Sequence, residues 1–308
     1  MQKQVRFRAR LALFITALIW GSTFFVMKEV AGVFPTPFLM AIRFSTGTMA
    51  LALLFPARLP LLRQKRYLLG AVTTGVTQAL AYMLQTLGLA WDTSPGKSAF
   101  LTAAYCVLVP FLAWLALRRR PSGWQFVAAG MCLTGIGLLS LNEAFGISPG
   151  DFVTLLGSII FALNILAISH AGEMGCDPIA LTIGQLAVAA AVSWGMTLAL
   201  GAFPAVSPPA KSWACLVFLG LVASALCMAM QAYGQKHVEP SQASLLLSLE
   251  SVFGVVFSVI FYGEVLSARL LAGFALIFCA VVVSETRLDF LFRRASKIPP
   301  EQYGQFKE

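Results

Sequence analysis

The sequence predicts an all-α integral membrane protein with ten transmembrane helices, arranged as two inverted five-helix repeats. Three observations support this fold class: an apolar composition, a series of apolar segments whose connecting loops differ in basic charge, and a similarity between the two halves of the chain. The three are independent, because composition, charge distribution and internal similarity are different properties of a sequence.

The composition requires lipid as the solvent for much of the chain. Its 308 residues are 58% hydrophobic and only 11% charged, with a mean hydropathy of +0.81. Soluble domains have about 45–50% apolar and about 25% charged residues, so a water-soluble core cannot bury this much apolar surface. The formal charge of +9 does not indicate a nucleic-acid partner, because the basic residues lie in short breaks between apolar runs rather than on one soluble face.

The six cysteines predict no metal site, and no cofactor is expected. None of them has C-x-x-C spacing, and all but Cys176 lie within apolar runs, where they are expected to pack as small hydrophobic side chains. The first apolar run lacks a small-residue cleavage site. It is therefore interpreted as a retained span and not as a signal peptide.

Ten segments contain the roughly 20 apolar residues that a helix needs to cross a bilayer. They comprise residues 11–30, 36–55, 67–90, 96–117, 122–141, 151–171, 178–200, 211–235, 241–262 and 266–285. The connections between them are too short for a soluble domain and contain proline and glycine, which end helices. This predicts a first five-helix repeat (1–141), a linker (142–150), a second five-helix repeat (151–290) and a cytoplasmic tail (291–308).

The basic residues predict the orientation, because loops rich in lysine and arginine resist translocation. With the N-terminus inside, 17 of the 22 basic residues lie on the inner side, four lie on the outer side, and Arg43 lies within the second span. An even number of spans then places both termini in the cytoplasm.

The two halves of the chain are similar at an offset of 144 residues. Residues 97–140 align without a gap on residues 241–284, and the short connector 118–120 falls on the connector 262–264. Because each half has five spans, an odd number, the second half enters the membrane from the opposite side. This arrangement is an inverted-topology repeat, which is typical of alternating-access carriers.

The sequence also resembles a known family. The residues that carry the resemblance are Trp20-Gly-Ser-Thr-Phe24, Arg43-Phe44, Gly150-Asp151, Ser248-Leu-Glu-Ser-Val-Phe253 and Gly263-Glu264. Over essentially its whole length the chain is similar to the EamA-type drug/metabolite transporters. The resemblance implies a ten-helix fold in a bacterial inner membrane and export of amino acids or related small metabolites, usually without ATP. The chain departs from the family pattern at Ser251, where proline is common, and at Arg119 and Arg120, where Gly-Glu is common.

A carrier and an intramembrane enzyme are the two functional classes considered. An enzyme would group histidines, paired carboxylates or a nucleophile beside a base. This chain has only His170 and His237, which are far apart in sequence, and it has no P-loop lysine motif for ATP. We therefore predict a carrier that is not an enzyme, with a small-molecule substrate and the bilayer as its partners. Proton coupling, the solute class, the direction of transport and the oligomeric state stay open.

Two charged residues lie deep within predicted spans, where a charge costs several kcal/mol. Arg43 lies about seven residues into the second span, and Glu250 lies near the middle of the ninth. Arg43 could reach back to the outer headgroups, bind a substrate carboxylate in a central cavity, or pair with Glu250. Glu250 is expected to face the bundle interior, either for structural pairing or for coupling of protons or substrate.

Polar and aromatic side chains within the spans provide the other candidate substrate-binding residues. They are Trp20, Tyr82, Gln85, Tyr105, Gln185 and Gln231. Desolvation of such large polar groups is costly unless they find partners, so contact with substrate or cavity water is one interpretation. Helix-to-helix hydrogen bonding is the alternative.

Two helix-weakening residues occupy matching positions in the two halves. Pro110 falls on Gly254 at the repeat offset. Proline removes a backbone donor and glycine loosens the helix, so both are predicted hinges at which the fourth and ninth spans bend.

Overall fold

The computed structural model describes residues 2–118, 120–141, 147–237 and 240–286, and within these ranges all regular structure is helical. The predicted tail and most of the predicted linker lie outside the described residues. The helices are α1 (Gln2–Ala31), α2 (Thr36–Leu54), α3 (Lys65–Ala90), α4 (Pro95–Ala103), α5 (Tyr105–Leu117), α6 (Gly123–Ser140), α7 (Pro149–Glu173), α8 (Pro178–Leu200), α9 (Ala210–Phe218), α10 (Cys227–His237), α11 (Pro240–Phe257) and α12 (Ala268–Thr286). A 3-10 turn at Pro56–Arg63 and two π-helical segments, Leu219–Leu226 and Ser258–Tyr262, complete the chain.

The described helices confirm an α-helical, multi-pass membrane protein. Eight helical segments are long and apolar enough to cross a bilayer, and two shorter apolar helices follow at Leu246–Tyr262 and Ala268–Ser284. Two of the eight are composite: α4 and α5 form one span, and α9, the first π-helical segment and α10 form another. Large apolar side chains such as Leu115 and Leu133 point outward, as expected for a surface that faces lipid.

Local sequence explains where several helices begin. Ser94, Ser148 and Asp177 precede α4, α7 and α8, and each side chain accepts a hydrogen bond from a backbone N–H in the first turn. A proline occupies the first position of each of these helices, where its missing N–H has no consequence. The same Ser-Pro-Gly sequence therefore starts both α4 and α7.

The main helix contacts join the two halves of the chain. Helix α3 packs against α7 and α8, α1 packs against α11 and α10, and α6 packs against α12. Helix α2 contacts α8 and the π-helical segment Leu219–Leu226, while α4 and α5 lie on α7. The interior of the bundle between α1, α2, α3 and α8 contains the largest group of buried apolar side chains and also the candidate site.

Candidate functional site

Arg43 is a buried cation without a carboxylate partner among the described residues. Only 2% of its surface is exposed, so it is enclosed by protein and does not reach the headgroups. Its guanidinium carbon lies 4.7 Å from the centre of the Tyr82 ring, and its Nε donates a hydrogen bond of 3.0 Å to Ser224 Oγ. Nη1 lies 3.6 Å from the sulfur of Met27. A desolvated cation with only these neutral contacts remains able to bind an anion.

Glu250 lies in α11 close to this cation but not in contact with it. It is 8% exposed, and it interacts electrostatically with Tyr82, as Arg43 does. Among the described residues its carboxylate has neither a hydrogen-bond nor an ion-pair partner, and the Arg43 guanidinium is beyond ion-pair distance. Tyr82 thus interacts with both buried ionisable groups, which form no ion pair with each other.

Helix α3 presents a polar face, and each of its residues contacts a different helix. Gln78, Tyr82 and Gln85 follow one another at about one helical turn. Gln78 accepts a hydrogen bond from the amide of Gln185 in α8, and the Gln85 amide donates to Thr102 Oγ1 in α4 at 2.9 Å. Gln78 Nε2 is buried and has no partner in the described part of the chain. This face of α3 therefore places polar groups against α8 and α4 inside the bundle.

A π-helical segment supports the opposite side of the site. The Trp20 indole N–H donates to the Ala223 carbonyl at 2.7 Å, and the next residue, Ser224, accepts from Arg43. Both acceptors belong to Leu219–Leu226, where the chain forms a π-helix. Such segments widen the helix and leave carbonyl groups available to side chains. The irregularity therefore places two hydrogen-bond acceptors against two predicted site residues.

Aromatic rings continue from Tyr82 across the bundle. Tyr82 makes edge-to-face contacts with Phe44 and Phe161 at centroid distances of 5.7 and 5.0 Å, and Phe161 lies 6.1 Å from Tyr105. The structure thus connects Trp20, Arg43, Tyr82, Tyr105 and Glu250 to one region. Gln231 in α10 is half-buried and, within the described residues, makes no hydrogen bond to them.

Four residues of the site were not predicted from the sequence: Met27, Phe44, Phe161 and Ser224. Apolar residues in apolar spans carry no signal of their own, which explains the first three. Ser224 does carry a signal, because it lies three residues before Cys227 and seven before Gln231, and this spacing puts all three on one helical face.

Two glycines allow α2 and α8 to approach their neighbours beside the site. A Cβ at Gly220 would lie 3.1 Å from the Arg43 carbonyl oxygen, and a Cβ at Gly75 would lie 2.7 Å from the Gln185 carbonyl oxygen. Arg43 and Gln185 therefore each follow the same pattern. The Arg43 backbone lies against Gly220, and its side chain contacts Ser224, four positions further along. The Gln185 backbone lies against Gly75, and its side chain contacts Gln78, three positions further along.

The predicted hinges occupy different environments. Pro110 lies within α5, and the fourth span is interrupted six residues earlier, at Ala104 between α4 and α5. Gly254 lies where α11 meets α4 and α1, and a Cβ there would lie 2.5 Å from the Cβ of Ala99. Gly254 is thus a close-packing position as well as a predicted hinge.

A substitution pair separates these two roles of Gly254. We expect Gly254→Ala, like Pro110→Ala, to slow transport more than it lowers the amount of folded protein, because a hinge sets a rate. Ala99→Gly combined with Gly254→Ala removes the clash between the two methyl groups, and we expect the transport defect to remain. Transport rates in proteoliposomes, normalised to detergent-stable protein, provide the measurement. Restored transport in the double variant would make Gly254 a packing position only.

The comparisons with known proteins agree with one another. The chain matches the EamA-like transporter family over residues 8–141 and 148–286. It is 30% identical to an uncharacterized transporter of Archaeoglobus fulgidus over 289 residues, covering 92% of this chain and 87% of that protein. It is 26% identical to the uncharacterized inner membrane transporter YedA of Escherichia coli K12, covering 91% and 93%. One crystal structure matches with a TM-score of 0.67 and 20% identity over 94% of this chain and 99% of the other, which supports the fold alone.

Proposed function

Because the chain belongs to the EamA-like transporter family, we propose that it is a secondary transporter that exports or exchanges small carboxylate-bearing metabolites, amino acids or their derivatives, by alternating access. In this proposal it carries its substrate without chemical change and resides in a bacterial-type inner membrane. Its Escherichia coli relative is named as an inner membrane transporter, which supports this location.

The observation that carries the substrate class is Arg43. A cation enclosed within a membrane span, without a carboxylate partner among the described residues, is costly to maintain, and this favours an anionic group that arrives from outside as its partner. A substrate carboxylate matches the planar fork of the guanidinium. In this proposal Glu250, which also interacts with Tyr82, receives the amino group of the same substrate or a proton.

We further propose that the chain has ten spans in two inverted repeats. When the two halves are exchanged, the contact of α3 with α7 corresponds to the contact of α10 with α1. The contact of α3 with α8 corresponds in the same way to the contact of the π-helical segment Leu219–Leu226 with α2. The pairs Arg43–Ser224 and Gln185–Gln78 match under the same exchange. These correspondences support the repeat independently of the sequence alignment.

The proposed topology predicts the location of both termini. Reporter fusions at residue 308 are expected to read cytoplasmic, and fusions near residue 146 are expected to read external, because the basic loops stay inside. An alkaline phosphatase and green fluorescent protein pair provides opposite signals at each position. An external C-terminus would remove the even number of spans.

An uptake screen tests the proposed function. Purified protein in liposomes is supplied with labelled amino acids, amino-acid amides and carboxylic acids, with and without an imposed pH gradient. We expect saturable transport of at least one compound that has a free carboxylate, and none of its amide. Transport of the amide at the same rate would favour the alternative, a carrier for another class of small solute, and would contradict the role given to Arg43.

A further inference from the structure

The start of α4 is held by a carboxylate from the far end of the second half. Glu264 accepts hydrogen bonds from the Ser94 hydroxyl at 2.5 Å and from the Gly96 backbone N–H at 3.0 Å. It also accepts from the Ser258 hydroxyl in the π-helical segment that ends the ninth span. One side chain therefore joins the first turn of α4 to the last turn of the α11 span.

A second carboxylate holds the other side of the same turn. Asp151, fully buried at the start of α7, forms an ion pair of 2.5 Å with Lys97 Nζ and accepts a hydrogen bond of 3.0 Å from the Thr93 hydroxyl. The preceding residue, Gly150, donates its backbone N–H to Asp92 at 2.8 Å. The segment 93–97 is thus bound on two sides by acidic residues of the second half.

All of these contacts lie at the end of the bundle that the basic residues place outside. The start of α4 lies between α7 and the α11 span, so its separation from either requires these contacts to break. We propose that Asp151 and Glu264, together with residues 93–97, form an outer latch that keeps the site closed to the outside and whose release is a step of transport. The proposal rests on the alternating access proposed above. It adds the residues that stabilise the conformation in which the site is closed to the outside.

The residues that make the Glu264 contacts are not repeated at the corresponding positions of the inner end. At the repeat offset of 144, Glu264 corresponds to Arg120 and Gly96 corresponds to Pro240. An arginine side chain accepts no hydrogen bonds, and a proline has no backbone N–H to donate. The Glu264 contacts are therefore specific to the outer end, where they favour the outward-closed conformation.

Two substitutions disturb the Glu264 part of the latch by different routes. Glu264→Ala removes the acceptor of three hydrogen bonds. Gly96→Ala places a methyl group 2.6 Å from Glu264 Oε2 and displaces the end of that flexible side chain. If both act through the same contact, their combination has no larger effect than either one alone. Glu29→Ala is the matched control, because Glu29 forms an exposed ion pair with Lys211 that contacts neither α4 nor α7.

Cys227 provides a reporter of opening. It is fully buried beside Arg43 in this conformation, so a reagent reaches it only when the site opens. The experiment measures the rate at which a negatively charged, membrane-impermeant methanethiosulfonate, added to the external side of oriented vesicles, labels the peptide that contains Cys227. Mass spectrometry separates this label from those on the other five cysteines, and Cys227→Ala defines the background.

We expect Glu264→Ala and Gly96→Ala each to raise the labelling rate at least about fivefold, the lower end of ordinary coupling between two states. The double variant is expected to match the single variants, and Glu29→Ala to match the unchanged protein. Unchanged rates in both single variants would overturn the proposal, as would rates that multiply in the double variant. If Glu264→Ala fails to fold, Gly96→Ala and its combination with Glu264→Gln decide the question by the same criteria.

The outcome does not depend on which solute is carried, because labelling requires no substrate. Absence of amino-acid transport together with faster labelling of the variants would contradict the proposed substrate and support the proposed latch. Amino-acid transport together with unchanged labelling of the variants would support the proposed substrate and contradict the proposed latch.

Discussion

Glu250→Gln is expected to abolish the dependence of transport on the pH gradient while leaving the amount of folded protein unchanged. Glu250 is an enclosed carboxylate without an ion-pair partner among the described residues, so it is free to bind and release a proton during the cycle. Glutamine has nearly the same shape but does not ionise. The measurement is the initial rate of uptake into proteoliposomes with and without an imposed pH difference.

A second readout separates proton coupling from structural pairing. If Glu250 instead neutralises Arg43 in the folded protein, Glu250→Gln would leave a buried cation unpaired and would lower the apparent Tm. Arg43→Gln combined with Glu250→Gln would then restore it. Because the two side chains are beyond ion-pair distance, we expect the Tm of Glu250→Gln to match that of the unchanged protein. Unaltered pH dependence in Glu250→Gln would exclude proton coupling through this residue.

Arg43→Gln is expected to reduce the kcat/KM for a carboxylate substrate by roughly 30-fold or more. Removal of one partner from a desolvated charge pair costs about 2–5 kcal/mol, and each 1.4 kcal/mol corresponds to a factor of ten. Arg43→Lys keeps the charge but loses the planar fork that contacts Ser224 and lies over Tyr82, so an intermediate loss is expected.

The control for this change is an arginine outside the site. Arg58, in the connection after α2, forms a partly exposed ion pair with Asp177, and exposed pairs contribute about 1 kcal/mol or less. We expect Arg58→Gln to transport normally. Equal losses in Arg43→Gln and Arg58→Gln would indicate a general effect of positive charge and would contradict carboxylate binding by Arg43.

The helices could be predicted from the sequence well, but their irregularities could not. The prediction of one span at 96–117 became α4 and α5 with a break at Ala104, and the span at 211–235 contains an eight-residue π-helix. Hydropathy is an average over about 20 residues, so it is insensitive to a change of backbone hydrogen bonding within a segment. The first helix begins at Gln2 rather than near residue 11, since helix formation does not stop where the bilayer ends.

For the site, single residues were predictable and their partners were not. Arg43 and Glu250 were identified because charge is rare in apolar spans, and the structure brings both to Tyr82. The sequence left open whether the two pair with each other. That outcome depends on how α2 and α11 are rotated about their axes, which only packing determines.

The amino-acid sequence alone identified lipid as the solvent and predicted the number of spans and their orientation, because hydropathy and basic charge add along the chain without reference to contacts. The tertiary structure decided which polar groups face one another: Ser224 with Arg43, Gln78 with Gln185, and Glu264 with the first turn of α4. These partners are separated by 181, 107 and 168 residues. Contacts over such distances depend on close approaches at glycines and on helix rotation, which are properties of the packed bundle and not of any one segment.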